Sequence, residues 1–255
     1  MDLEIEIDLE QGFELKDAVL INAFPGPGYA SMLAANYIID KMAFEPVGSI
    51  RSPYFPSTAV IHDFTPYHPI RFYGMVDIAI LITEMTPKPE MSKFIGGSLL
   101  ELYKDKGIKQ IINLEAIVDT QNKPPEEHMF YGVASQEAER KVLLDAGITL
   151  FKEGMVTGVA GELLSEGHRK DFNIICLLTE VNAMYPDIQA AIRFVENLNK
   201  LLENMNIDIE DLKKEADEIE GSIKESIDKA RELLDSHQQE KSLSIPQAPP
   251  QYMYG

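Results

Sequence analysis

A repeated unit of strand, loop and helix constrains the fold of this chain more than any other feature. In its first copy, the almost entirely apolar run Asp17–Phe24 is followed by a tight turn and a helix of small residues over 29–42. A strand with no polar face is typical of a sheet that is covered on both sides. Buried strands alternating with helices predict an α/β fold with a doubly wound, mostly parallel sheet. Further strands are predicted at 76–83, 110–114 and 173–179, and further helices at 91–106, 135–145 and 186–205.

Other short segments add strands to this framework. Residues 3–9 alternate apolar and acidic side chains, which is typical of a strand with one solvated face. Runs at 45–51, 58–64 and 69–74 are separated by prolines and predict extra strands, whose pairing the sequence does not fix. We therefore expect one α/β domain over residues 1–206.

Charge restricts the classes of partner. The 255 residues carry a formal net charge of −19, and the sequence pI is about 4.6. Such a surface repels nucleic-acid phosphates and anionic lipid headgroups, so neither nucleic acid nor membrane is an expected partner. The first ten residues are acidic and alternating, unlike a signal peptide, and no apolar run is long enough to span a bilayer. We expect a cytoplasmic protein.

The chemistry expected of individual side chains is limited. The single cysteine, Cys176, lies in an apolar run, and burial there suppresses the reactive thiolate. The five histidines have no spacing typical of a metal site, so no cofactor is predicted. Glu84, Glu115 and Glu180 follow or end predicted strands, where open α/β sheets place ligand sites, but the sequence pairs none of them with a base.

Two glycine-rich segments precede helices. The turn Phe24-Pro-Gly-Pro-Gly28 could hold an anion on backbone amides, but two prolines remove donors, and a structural turn is the favoured interpretation. In the segment 154–161, Gly158 and Gly161 predict close packing of a helix on the sheet. The alternative interpretation is a small-anion-binding enzyme that uses these loops with Glu84 or Glu180.

A heptad pattern occupies a predicted long helix over 207–237. Apolar or small residues recur there at alternating spacings of three and four, between charged residues, as in a coiled coil that associates with other copies. The alternative is a helix that lies along its own domain. The predicted oligomerisation residues are Ile209, Leu212, Ala216, Ile219, Ile223, Ala230 and Leu233, with Ser226 at the remaining position.

The final segment, 238–255, predicts a flexible tail. From Ser242 onward it has no charged side chain, contains three prolines and ends in Tyr252-Met-Tyr-Gly255. Met253, Tyr254 and the carboxylate of Gly255 offer an apolar group, a hydroxyl on a ring and a charge that can pair with a lysine. These properties are typical of a tethered ligand.

Several blocks together resemble the PAC2-type proteasome assembly chaperones and their archaeal homologues. The resemblance covers about residues 15–205. It rests on Phe24-Pro-Gly-Pro-Gly28, Glu45-Pro-Val-Gly-Ser49, Tyr54-Phe-Pro56, Asp77-Ile-Ala-Ile-Leu-Ile-Thr-Glu84, Gly107-Ile-Lys-Gln-Ile-Ile-Asn-Leu114, Gly154–Leu164, Leu177-Leu-Thr-Glu180 and Pro186-Asp-Ile-Gln-Ala-Ala191.

The resemblance implies a nucleoside phosphorylase-like fold without catalysis. The alternative that this fold leaves open is a nucleoside phosphorylase-like enzyme that uses the glycine-rich loops with Glu84 or Glu180. It also implies that a terminal hydrophobic–tyrosine–any-residue motif, matched here by Met253-Tyr-Gly255, inserts between α-subunits of the proteasome 20S core. The long helix and the proline-containing tail resemble the archaeal homologues, which implies a homo-oligomer. We expect an ATP-independent assembly chaperone or activator, with Tyr252, Met253, Tyr254 and Gly255 binding the partner.

Overall fold

The structure is a computed structural model that describes residues 5–62, 64–121, 123–183, 186–214 and 216. Contacts divide the chain into two units, Met1–Leu212 and Lys213–Gly255, and the elements given below belong to the first. Within the described residues, no helix is both long and apolar enough to cross a membrane.

Strands and helices alternate along much of the first unit. The strands are β1 (Glu6–Leu9), β2 (Val19–Ala23), β3 (Glu45–Arg51), β4 (Val60–His62), β5 (Thr65–Tyr67), β6 (Ile70–Met75), β7 (Ile78–Thr83), β8 (Gln110–Val118), β9 (Phe130–Ala134), β10 (Thr149–Leu150) and β11 (Ile174–Val181). The α-helices are α1 (Ala30–Met42), α2 (Pro89–Lys106), α3 (Glu137–Asp145), α4 (Gly158–Lys170) and α5 (Ile188–Leu201).

A mixed sheet forms the centre of the unit. Its strand order is β1-β3-β6-β7-β2-β8-β11-β9-β10, while β4 and β5 form a separate hairpin. The adjacent strands β7, β2, β8 and β11 run parallel, and every residue of β2 and β7 is buried. The predicted doubly wound α/β fold is confirmed, and the parallel strands are those with the most continuous apolar runs.

Antiparallel pairs flank this parallel centre. On one side β1, β3, β6 and β7 pair antiparallel in succession, and on the other β9 pairs antiparallel with β11. Only residues 76 and 77 join β6 to β7, which is too short for the crossover that a parallel pair requires. The short connection therefore forces β6 and β7 to pair antiparallel, and the sheet contains both parallel and antiparallel pairs.

Helices cover both faces of the sheet. On one face α1 contacts α5, and on the other α2 contacts α4 above a core that includes Leu20, Leu81, Leu99 and Leu163. A methyl group on Gly96 of α2 would lie 2.8 Å from the Glu162 side chain of α4, so this glycine lets the two helices approach closely.

The predicted role of Gly158 and Gly161 is wrong. Nothing lies within 4 Å of a Cβ placed on Gly158, whose φ of +70° instead permits a left-handed start to α4. A Cβ on Gly161 would collide with the Val156 carbonyl oxygen, in the loop that precedes the helix. These glycines therefore permit the tight entry into α4 and do not bring it closer to the sheet.

A buried polar pair lies within the parallel strands. Asn22 of β2 donates a hydrogen bond to the Asn113 side chain of β8 at 3.0 Å, and Asn113 donates to the Ile175 carbonyl of β11 at 3.1 Å. Buried amides need such partners, so the interaction favours one register of the three strands.

Some elements were missed or misjudged from the sequence. The helix predicted at 186–205 spans only Ile188–Leu201, and β5, β9 and β10 were not predicted. Gly132 interrupts the apolar pattern of β9, and a Cβ there would lie 2.8 Å from Leu143 of α3. Close packing by the helix that follows β9 thus requires a glycine in the strand, and this glycine breaks the apolar pattern by which strands are predicted.

Truncation of Leu99 to alanine should strongly destabilise the unit. Leu99 is fully buried between α2 and the sheet, and such truncations cost about 2–5 kcal/mol because they leave a cavity. Urea unfolding measures the decrease in the free energy of unfolding. Lys104→Ala, on an exposed position of the same helix, should stay within about 0.5 kcal/mol of the parent. Equal effects of the two substitutions would contradict the described packing.

Candidate functional site

The carboxyl ends of β8 and β11 gather charged side chains from several segments. Asp119 follows β8, Lys123 and His128 lie in the next loop, Glu180 ends β11, and Asp187 precedes α5. We call these five residues the strand-end cluster. It occupies the edge at which open α/β sheets place ligand sites.

Glu180 and Lys123 form the ion pair of the cluster. Lys123 Nζ donates to Glu180 Oε2 at 2.5 Å, and the Met129 amide donates to the same oxygen at 3.0 Å. Burial alone would raise the pKa of Glu180, but these hydrogen bonds outweigh it and lower the pKa. The pKa of Lys123 is raised, chiefly by the bond to Glu180. Both groups stay charged at neutral pH, which suits an ion pair and not a general acid or base.

His128 lies between the two aspartates of the cluster. Its Nε2 is 3.7 Å from Asp119 Oδ2, its Nδ1 is 4.0 Å from Asp187 Oδ2, and its ring is almost fully buried. Within the described part of the chain, neither ring nitrogen has a hydrogen-bond partner. The described residues also contain no group of three or more His, Cys, Asp or Glu side chains suited to a metal.

Both aspartates are occupied by backbone amides. Asp119 accepts from the amides of Gln121 and Lys123 at 3.0 and 2.6 Å. Asp187 caps α5 by accepting from the Ala190 amide at 2.8 Å, and its other oxygen accepts from the Asn182 amide at 2.9 Å. Burial would raise the pKa of Asp119, but the amide hydrogen bonds reverse this and lower it. These carboxylates stabilise their loops.

The Phe24–Gly28 turn packs directly against this edge. Gly28 has a φ of +65°, and its carbonyl accepts from the Asp187 amide at 2.8 Å. A Cβ on Gly28 would lie 3.0 Å from the Asn182 carbonyl oxygen, so only glycine fits without strain. Ser31 Oγ donates back to the Phe24 carbonyl at 2.6 Å. The contacts favour the structural interpretation of the turn over an anion site.

The three glutamates singled out from the sequence do not converge. Glu84 follows β7 and accepts from Arg71 at 2.7 Å, while its other oxygen lies 2.9 Å from His62 Nε2. Glu180 belongs to the strand-end cluster, with β2 and β8 between its strand and β7. The sequence does not pair Glu84 with His62 or Glu180 with Lys123 because the partners lie 22 and 57 positions apart in the chain.

Glu115 lies within β8 and is half-buried. Burial alone raises its pKa to about 7. Its charge helps raise the pKa of Cys176, although burial is the larger cause. The expectation of a buried, unreactive Cys176 is confirmed, since the thiol is fully buried and its pKa lies well above the usual value.

The predicted partner-binding residues Tyr252, Met253, Tyr254 and Gly255 lie outside the described residues, as do Ile219, Ile223, Ala230 and Leu233. Of the other predicted oligomerisation residues, Ile209 is half-buried and Leu212 and Ala216 are buried. The chain before Leu212 is held on α1, because Tyr37 donates to the Asp208 carbonyl at 2.7 Å and Lys41 pairs with Asp211 at 2.6 Å.

Comparison with known proteins assigns the family. Residues 20–227, most of the chain, match the model of the PAC2 family. This chain belongs to the PAC2 family. The PAC2 protein described here is also 27% identical over 188 residues to an uncharacterised protein of Methanocaldococcus jannaschii, and the match covers 74% of this chain and 76% of that protein.

Solved structures extend the comparison. PbaA of Pyrococcus furiosus, an archaeal homologue of proteasome-assembly chaperone, is 28% identical to this PAC2 protein with a TM-score of 0.80, over 94% of this chain and 99% of that one. PbaB of the same organism, an archaeal proteasome activator, shares the fold at 20% identity with a TM-score of 0.75, over 89% of this chain and 99% of that one.

Replacing Glu115 with glutamine should stabilise this PAC2 protein in a pH-dependent way. The folded carboxyl has a pKa of about 7 and the unfolded one about 4.5, so the native state binds more protons between these values and stability falls as pH rises through them. Glutamine avoids the cost of a buried charge. Urea unfolding should show a gain of about 1–3 kcal/mol at pH 8 and almost none at pH 4.5.

Glu101→Gln on an exposed position of α2 removes the same charge and serves as the control. It should change stability little at either pH. A gain for Glu115→Gln that is equally large at pH 4.5 and pH 8 would exclude ionisation of Glu115 as the cause.

Proposed function

We propose that this PAC2 protein binds the proteasome 20S core without ATP, as an assembly chaperone or as an activator. The observation that carries the proposal is the similarity to PbaA, which extends over 94% of this chain at 28% identity. The family match and the shared fold with PbaB, a proteasome activator, support it further.

The contact with the core is proposed to lie in the C-terminal tail. In the proposed contact Met253 supplies an apolar group, Tyr254 a ring with a hydroxyl, and a C-terminal carboxylate on Gly255 would supply the charge. A pocket between two α-subunits that contains a lysine would receive all three groups. Tyr252 adds a second aromatic ring next to the motif.

Several tails acting together would make this contact strong. One short peptide binds weakly, but tails on a common scaffold raise the local concentration of the next motif and increase avidity when linker reach matches pocket spacing. The heptad residues beyond Ala216, which are Ile219, Ile223, Ala230 and Leu233, are proposed to hold copies of the chain together.

The chemistry of the α/β unit supports a binding role over a catalytic one. In the strand-end cluster the lowered pKa of Glu180 and the raised pKa of Lys123 keep both groups charged, and Asp119 and Asp187 accept from backbone amides. These contacts leave the cluster suited to holding loops in place.

Substitution of Tyr254 by alanine should weaken binding to the core by about tenfold or more, because a buried aromatic anchor dominates small interfaces. Native co-migration with purified 20S core, without ATP, measures binding, and peptide hydrolysis by the core measures gate opening. Faster hydrolysis with the parent protein indicates an activator, whereas binding to isolated α-subunits but not to finished cores indicates an assembly chaperone.

The matched control is Tyr54→Ala, which removes an exposed tyrosine of the α/β unit. It should bind the core like the parent. Undiminished binding by Tyr254→Ala would exclude the tail as the docking element. Failure of the parent protein to bind either cores or α-subunits would contradict the proposed function itself.

Oligomerisation has a separate test. Ile223→Asp places a charge in the proposed heptad seam and should reduce the molar mass measured by light scattering toward that of one copy. Ser222→Asp adds the same charge outside the seam and should leave the mass unchanged. A parent protein that is already a single copy would refute the proposed self-association, as would an oligomer that persists in Ile223→Asp.

A further inference from the structure

An acidic cavity lies at the opposite edge of the sheet, where the parallel strands begin. It has a volume of about 400 Å³ and is lined by residues just before β2, β7, β8 and β11 and by the end of α5. Its carboxylates are Asp17, Asp77, Glu139 and Glu203, and Lys109 is its cation. We call it the acidic edge pocket. Carboxylates outnumber cations, so the pocket favours a positively charged occupant.

Glu139 is the residue that distinguishes this pocket from an acidic patch on the surface. It lies in the first turn of α3, where its residue is only 7% exposed. Its Oε2 atom is buried, and no hydrogen-bond partner for it occurs in the part of the chain that the structure describes. A buried carboxylate oxygen without a donor is costly, so a positive charge placed beside this carboxylate would be stabilising.

Asp77 and the end of α5 also favour a positively charged occupant in the pocket. Asn204 Nδ2 already donates to Asp77 Oδ2, and this hydrogen bond holds the carboxylate of Asp77 in place just before β7. The pocket also includes Leu201, the last residue of α5, and the carbonyl end of a helix carries partial negative charge.

Size and lining decide between a metal ion and an organic cation. The cavity has the volume of a small-molecule site and far exceeds the space of a single water molecule, which is about 30 Å³. No cluster of three metal-ligating side chains occurs among the described residues. Apolar side chains, among them Val19, Ile78 and Leu202, line the wall between the carboxylates. Such a wall suits an organic cation in which methylene groups separate two positively charged ends.

We propose that the acidic edge pocket binds a linear aliphatic polyamine. One ammonium group lies beside the carboxylate of Glu139, a second pairs with the carboxylates of Asp17 and Glu203, and the methylene chain packs on the apolar wall. The buried position of Glu139 protects its attraction to an ammonium group from screening by salt. This site is independent of the proposed tail contact.

Calorimetric titration of the full-length protein with spermidine tests the proposal, with MgCl₂ and NaCl at equal ionic strength as the other arms. Spermidine should bind saturably, and Glu139→Gln should weaken it by about tenfold or more, because the substitution keeps the shape of the side chain and removes its charge. Glu137→Gln, an exposed position in the same turn of α3, removes the same charge and should bind like the parent.

Three results would overturn the proposal. Absence of saturable binding to the parent protein is the first. Equal affinity of Glu139→Gln and the parent would assign binding to diffuse attraction by the net charge of −19. Saturable Mg²⁺ binding that depends on Glu139 and competes with spermidine would make the pocket a metal site. Urea unfolding of both glutamine variants establishes that each is folded before titration.

Discussion

Burial of the central parallel strands on both faces is the constraint on which the rest of this structure depends. β2 and β7 expose no side chain to solvent, so helices must cover both faces of the sheet. Because helices cover both faces, charged side chains near the central strands can reach solvent only at the two ends of the strands. The strand-end cluster and the acidic edge pocket lie at these opposite edges, separated by the length of the strands.

The two edges differ in how completely their charges are satisfied. At the carboxyl edge Lys123 neutralises Glu180, and backbone amides occupy Asp119 and Asp187, so the charges stabilise loops around Gly28 and the start of α5. At the amino edge Glu139 keeps a buried oxygen without a donor among the described residues. The difference holds for the carboxylates, since His128 at the carboxyl edge also has two buried ring nitrogens without partners in the described part of the chain.

The proposed function assigns different roles to the α/β unit and to the C-terminal tail. In the proposed function the α/β unit serves as a scaffold, and several tails on a common scaffold increase avidity. The high negative charge of the chain also limits nonspecific association with nucleic acid. Membership of the PAC2 family and the similarity to PbaA are consistent with the proposed role in binding other proteins.

Local sequence determined the α/β class, the parallel central strands, the position of α1 and α2, and the burial of Cys176, because apolar periodicity and breaking residues act over a few positions. Tertiary structure alone decided the antiparallel edges, the pairing of β9 with β11, the partners of Glu84 and Glu180, and the burial of Glu139. Those features depend on residues far apart in the chain, such as Lys123 with Glu180, which only folding brings together.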